Sequence, residues 1–349
     1  MAQKLMKRYS LTFLALGFFI LAVGLSWAGV LSPYLQLILM FVGVNIMMSS
    51  SLNLVNGYMG EFSCGHAGFM AVGAYTTSLL TVWFFTTGSV FGPNLLAPAW
   101  AIVLFPFLLL FGGLIAALAG LLVAFPSFRT RGDYLAIITL AVNYIVKSAI
   151  ENVQPIGGAR GFMGMGRVIS GMKEVADLPW MMIWTWIFAF LTMLLIKRFV
   201  SSTYGKGIIA IRDDEIAAEI MGVNTRRAKM VAFMLSSGLA GLAGGLFAHI
   251  LGYINPGSFG IMKSTEALVM VYLGGMGSLS GSVLSAVVFT LLLEVLRPLQ
   301  LYKWVVVPLI LILLMLFRTE GLLGHRELTD SFPHLKRILG LKEKGHASL

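Results

Sequence analysis

Residues 34–63 read YLQLILMFVGVNIMMSSSLNLVNGYMGEFS. The first part, 34–55, is apolar and uncharged over the length a helix needs to cross the hydrocarbon core of a bilayer, about 20 residues. The second part, 56–63, interrupts the run with Gly57 and Gly60 and carries Glu61. Working outward, Glu61 is the only Asp, Glu, Lys or Arg between Arg8 and Arg129. Further charge-free tracts run from Leu178 to Ile196, Met230 to Met262, Ala267 to Leu293 and Trp304 to Phe317. With 58% hydrophobic and 11% charged residues, 349 residues folded in water would leave large apolar faces exposed, so the solvent is mostly lipid.

Apolar segments fall at 11–30, 34–55, 63–80, 99–125, 133–150, 180–199, 226–251, 264–276, 281–296 and 304–317, which predicts an all-α integral membrane protein of about ten spans. The weakest of these is 133–150, which carries Asp133, Asn143 and Lys147 and would be either half inserted or turned toward the bundle interior. The net charge of +10 does not point to nucleic acid, because the basic residues are spread among short loops and tails beside apolar tracts. Lys4, Lys7 and Arg8 put the N-terminal tail, 1–10, in the cytoplasm, as do seven basic residues in 197–229 and six in the tail 318–349. The uncharged loop 81–99 and the charge-balanced loop 151–177 belong outside. Residues 11–317 then form one membrane domain. Met1 to Gly29 also resembles a signal peptide, but the apolar run is long enough to span. The single cysteine, Cys64, excludes an internal disulfide and a cysteine-built metal cluster.

A second glycine passage closes the short segment 264–276. Asn56-Gly57-Tyr58-Met59-Gly60-Glu61-Phe62-Ser63 can be laid against Leu273-Gly274-Gly275-Met276-Gly277-Ser278-Leu279-Ser280, both reading Gly-x-Met-Gly-x-x-Ser between apolar stretches. Such interruptions at corresponding places point to broken helices around a pathway near the bilayer midplane. If all ten segments cross, the two passages run the same way; a half-inserted 133–150 would invert one of them, and the symmetry stays open. The small-residue spacings Gly241 to Gly245 and Gly113 with Ala117 suit close helix packing.

Residues 204–223, Tyr204-Gly-Lys-Gly-Ile-Ile-Ala-Ile-Arg-Asp-Asp-Glu-Ile-Ala-Ala-Glu-Ile-Met-Gly-Val223, differ from everything around them. They predict one charged amphipathic helix, with Ile209, Ile216 and Ile220 near one face and Arg212, Glu215 and Glu219 near another, ending at the cap residue Gly222. A helix lying in lipid headgroups is rich in Lys and Arg. Between 208 and 222 there is one Arg against Asp213, Asp214, Glu215 and Glu219, so the helix is expected to dock a partner.

Polar groups at membrane depth are Asn53, Glu61, Ser63, His66, Glu266 and Glu294. Glu61 is left between a gate or pathway residue and a carboxylate at a helix end. His66 reads as a packed residue holding the broken segment. Glu266 with Lys263, and Glu294 with Arg297, have the spacing of helical ion pairs. No Gly-x-x-x-x-Gly-Lys-Ser/Thr loop is present to cradle ATP, no paired His or Cys spacing suits a metal, and no nucleophile motif suggests an enzyme.

Several motifs, in order, resemble the LivM-type branched-chain amino-acid permeases. Glu215-x-Ala217-Ala218-x-x-x-Gly222 is similar to the coupling-helix signature of ATP-binding-cassette importer permeases with one inserted residue, and 205–223 looks like the LivM-type loop. Ser51 to Tyr75, including Gly65-His66-Ala67, resembles the early signature, and Arg131 to Leu140 the middle one. Gly157-Gly158 with Gly161, Ala240 to Leu246, and Leu273 to Gly281 complete the set, which covers roughly 35–320. Cys64 departs from the pattern, standing where a leucine or similar apolar residue is expected.

The resemblance implies a permease with broken glycine-rich segments and one cytoplasmic coupling helix. ATPase coupling would fall to Gly207, Arg212, Asp213, Asp214, Glu215, Ala217, Ala218 and Gly222. The translocation pathway would involve Asn53, Gly57, Glu61, Ser63, Gly65, His66, Glu266, Gly274, Gly275, Gly277 and Ser278. The implied partners are a second homologous permease, two cytoplasmic ATP-binding subunits that hydrolyse the ATP, and a periplasmic or extracellular solute-binding protein. This chain would bind no cofactor and catalyse no reaction. Branched-chain or other hydrophobic amino acids are the expected cargo, with urea or short amides, or a passive solute channel, as the alternatives.

Overall fold

The computed structural model describes residues 29–86, 94–128, 134–317 and 321–324, with isolated positions between 17 and 27 and at 92. The expected tail 1–10, most of the expected span 11–30, the motif residues 131–133, and the tail 318–349 apart from 321–324 lie outside the described residues.

Helix α1, Pro33–Asn53, starts where Ser32 accepts a hydrogen bond from the Leu35 N–H at 3.3 Å and Pro33 pre-sets the first turn. After α1 come α2 (His66–Phe85), α3 (Ala101–Ser127), α4 (Tyr134–Asn152), a short α5 (Met165–Val175) and α6 (Trp180–Ser201). Two small charged helices, α7 (Thr203–Asp213) and α8 (Glu215–Ile220), precede α9 (Thr225–Leu251). The chain closes with α10 (Ile261–Gly274), α11 (Leu279–Val295) and α12 (Lys303–Phe317). Every expected apolar segment from 34–55 to 304–317 coincides with one of these helices. Among the described residues six helices are long and apolar enough to span a bilayer, one of them the expected weak segment, now a continuous 19-residue α4. The shortfall from ten lies in the undescribed start and in α10, α11 and α12, of 14, 17 and 15 residues. At 1.5 Å per residue α10 covers only about 21 Å.

Helix α9 lies at the centre, against α1, α2 and α3. Small residues set the spacing: a Cβ on Gly73 would overlap the Gly241 backbone, and one on Gly244 would overlap the Met70 carbonyl. Gly113 faces the Leu242 side chain and Gly238 faces the Ala117 methyl, so both small-residue spacings lie in helix contacts. Helix α3 is amphipathic in the membrane sense. It buries Phe105, Leu109, Gly112, Ala116 and Gly120, and exposes Val103, Phe107, Leu110, Leu114, Leu118 and Leu122, a stripe that only lipid or another apolar surface can cover.

At one end of the bundle two-residue strands, β1 (Phe162–Met163) and β2 (Tyr253–Ile254), pair antiparallel, and Tyr253 donates to the Arg160 carbonyl at 2.6 Å. Both expected helical ion pairs form, Lys263–Glu266 at 2.8 Å and Arg297–Glu294 at 3.2 Å.

Candidate translocation and coupling site

The first glycine passage unwinds α1. Leu54–Tyr58 forms a π-turn, Gly60 turns left-handed at φ +77°, and the chain stays irregular until His66 opens α2. The second passage ends α10 at Gly274, runs through Gly275 (φ +107°) and Gly277 (φ +77°), and enters α11 at Ser278, whose hydroxyl accepts from Gly281 N–H at 3.0 Å. The aligned glycines Gly60 and Gly277 thus share one positive φ, which residues with a Cβ rarely adopt.

The two passages meet. Asn53 donates through Nδ2 to the Ser278 carbonyl at 2.9 Å and the Ser282 hydroxyl at 2.7 Å, while its Oδ1 accepts from Gly277 N–H at 2.9 Å. Both amide donors and one acceptor position are used, so the side chain staples the end of α1 to the second break. Gly57 lies flat against the same place: a Cβ there would overlap Asn53 Oδ1 and Gly277 N. Beyond α12 the chain returns, and Leu322 and Leu323 donate to the Leu273 and Gly274 carbonyls at 2.8 and 3.3 Å, satisfying acceptors that the end of α10 would leave bare.

On its other side the first passage is held by α4, α9 and α10. Ser63 N–H donates to Asn56 Oδ1 at 3.2 Å, Cys64 N–H to Thr139 Oγ1 at 3.2 Å, and Ala67 N–H to Ser264 Oγ at 3.1 Å. Gly65 packs so closely on the Thr139 carbonyl that a Cβ would overlap it. His66 is buried with Nε2 2.8 Å from Ser51 Oγ, and Ser236 donates to the Ser51 carbonyl at 2.5 Å. Glu266 does not join this group; its carboxylate is taken by Lys263 one turn away.

The charged stretch is two helices rather than the expected single one from 205 to 222. Asp214 sits extended between them at φ −160° and caps α8, accepting from Ile216 and Ala217 N–H at 2.9 and 3.0 Å. An Asp that bonds the backbone ahead of it stops the preceding helix and starts the next. Gly222, left-handed at φ +84°, closes α8 as expected, with Val223 N–H on the Ala218 carbonyl and Gly222 N–H on the Glu219 carbonyl. The break redistributes the isoleucines. Ile208 and Ile211 of α7 are buried, whereas Ile216, Ile220 and Met221 stand 67%, 79% and 82% exposed. Gly207 is loosely placed, with Val223 Cγ1 3.5 Å from the position of a Cβ, and Ala218 is buried beside the exposed Ala217.

This helix pair is bonded to the first passage. Arg212 donates to the Gly57 carbonyl at 3.3 Å and to its neighbour Asp213 at 3.1 Å, and its side-chain stem lies against Gly60. Lys229, at the start of the second turn of α9, contacts Glu61 at 2.6 Å and Glu215 at 2.9 Å. Glu219 accepts from the Thr225 hydroxyl at 2.8 Å. Sequence reasoning placed Glu61 and Glu215 in separate functions and overlooked Lys229, which it counted among the loop cations. One signal was there: Lys229 falls within the apolar segment 226–251, and an ionisable group at membrane depth calls for a nearby partner.

Helices long enough to span a bilayer, broken at two glycine passages that meet at Asn53 and tied at one end to a charged helix pair, define a multi-pass membrane permease. The chain belongs to the branched-chain amino acid transport system / permease component family, which matches residues 34–317. It is 31% identical to the high-affinity branched-chain amino acid transport system permease protein LivM of Escherichia coli over 87% of this chain and 73% of that one. A probable branched-chain amino acid transport permease protein LivM of Methanocaldococcus jannaschii is 24% identical over 89% of this chain and 99% of its own length. The corresponding LivH permease protein of Salmonella typhimurium is 27% identical over 82% and 95%. No solved structure matches the chain.

Proposed function

We propose that this chain is one permease subunit of an ATP-binding-cassette importer that carries branched-chain or other hydrophobic amino acids into the cytoplasm by alternating access. The observation that carries the reading is the similarity to LivM over most of the chain, together with membership of the permease family across 34–317. Similarity to LivH as well as LivM supports a core of two related permeases, this chain supplying one. The exposed Ile216 and Ile220 on α8, with Met221 just after it, form an apolar patch beside charged residues, suited to a cytoplasmic ATPase subunit. The sequence carries no phosphate-binding loop of its own, so the ATP is hydrolysed by that partner. A solute-binding protein on the opposite side delivers the cargo.

Uptake into proteoliposomes holding the native complex and its binding protein tests this. Labelled leucine is expected to accumulate only with ATP inside the cytoplasmic-facing compartment. Equal equilibration without ATP would identify a passive channel, and accumulation of urea or acetamide but not leucine would change the cargo.

A further inference from the structure

We propose that Lys229 is the positioning residue that carries movement of the α7–α8 pair to the first helix break; this rests on the importer reading above. Its ammonium is almost buried, with side-chain exposure of 9%, yet it stands beside two carboxylates from different elements. Glu61 comes from the irregular segment between α1 and α2, and Glu215 is the first residue of α8. A buried ammonium keeps its charge only with such partners, so Lys229 holds both elements to the foot of α9.

Arg212 supplies a second point of attachment. It donates to the Gly57 carbonyl, and its stem fills the space that a side chain at Gly60 would need. Two residues of the helix pair, 212 and 215, therefore reach the break at two places, directly at Gly57 and Gly60 and through Lys229 at Glu61. A link at two points transmits rotation as well as displacement. The break is in turn stapled to the second one by Asn53 and Gly277, so the helix pair, the first break and the second break form one bonded series.

The two carboxylates are unequal. Glu61 has a side-chain exposure of 22% and Glu215 one of 46%, so Glu215 is the partner that a docking subunit can reach. Lys229 then has two arrangements: shared between both acids, or held by Glu61 alone when Glu215 is drawn away. Coupling needs an element with two discrete arrangements biased from both ends, and this shared ammonium is one.

Lys229→Met, Lys229→Arg, Glu61→Gln and the Lys229→Met/Glu61→Gln double variant, each purified in the full complex, test the assignment by uptake per ATP hydrolysed. Lys229→Met and Glu61→Gln are expected to assemble and hydrolyse ATP near the native rate while uptake per ATP falls about tenfold. Lys229→Arg is expected to recover most of the coupling, and the double variant to be no worse than the poorer single one, because both remove the same bond. Native uptake per ATP in Glu61→Gln or Lys229→Met overturns the proposal. So does a parallel loss of assembly and ATP hydrolysis in both, which would make Lys229 an anchor for the docking surface only. A native complex that neither hydrolyses ATP nor accumulates leucine would count against the importer reading instead.

Discussion

Gly57→Leu is expected to abolish uptake with the protein still inserted in the membrane, and Gly57→Ala to impair it. Even the first carbon of a side chain would overlap Asn53 Oδ1 and Gly277 N, the two atoms whose hydrogen bond joins the breaks. Relief requires moving Asn53, which leaves the Gly277 N–H without its acceptor while the Ser278 carbonyl keeps its bonds from the Ser282 hydroxyl and N–H, or moving the second break away. Overpacking costs about 1–3 kcal/mol in a well-packed core, and a buried N–H left unpaired adds about 1–3 kcal/mol. Gly274→Leu should act alike, since its Cβ would overlap the Gly281 carbonyl across the α10–α11 turn. Gly166→Ala, on α5, is the control: nothing lies within 4 Å of its Cβ, so uptake should be unchanged. Normal uptake by Gly57→Leu would reduce the meeting of the breaks to incidental packing.

The second large effect is expected from reversing charge on the helix pair. Asp213→Lys with Glu215→Lys should remove transport while leaving the protein inserted and the bundle folded. Glu215→Lys places an ammonium beside Lys229, whose other partner Glu61 cannot satisfy both, and Asp213→Lys confronts Arg212. The damage falls on α7 and α8 and their hold on the first break, outside the spanning core. Tagged protein carrying both changes should reach the membrane in native amount and retain much less bound ATPase, or retain it with uptake uncoupled. Native uptake by this variant would contradict docking through α7–α8.

Much of this architecture was legible in the residues. Long uncharged runs leave one solvent and one backbone solution, so the helices at 33–53, 101–127 and 225–251 follow from composition and length alone. The two Gly-x-Met-Gly passages were visible as interruptions, and their shared left-handed glycine follows from glycine being the residue that tolerates it. That they touch was not legible, because the contact depends on Asn53, one of several polar residues toward the end of the first apolar run, finding partners more than 200 positions away. The charged stretch was visible as foreign to the membrane, yet its division at Asp214 was missed. An amphipathic period runs through 204–223, and the competing local signal was an Asp able to cap the turn after it. Lys229 was hidden by position, since a lysine next to an apolar tract reads as a loop cation until its two acids are seen around it.

The central claim is that this permease works within an ATP-driven complex docked on α7 and α8. Purifying the tagged native chain from its own membrane in a mild detergent, and identifying by mass spectrometry what accompanies it, tests that claim most directly. One related permease and ATPase subunits bearing phosphate-binding loops are expected in the native preparation and are lost or weakened in the Asp213/Glu215 reversal. Recovery of the chain alone, or only with copies of itself, in a detergent that preserves such complexes would contradict the account and favour a self-contained channel.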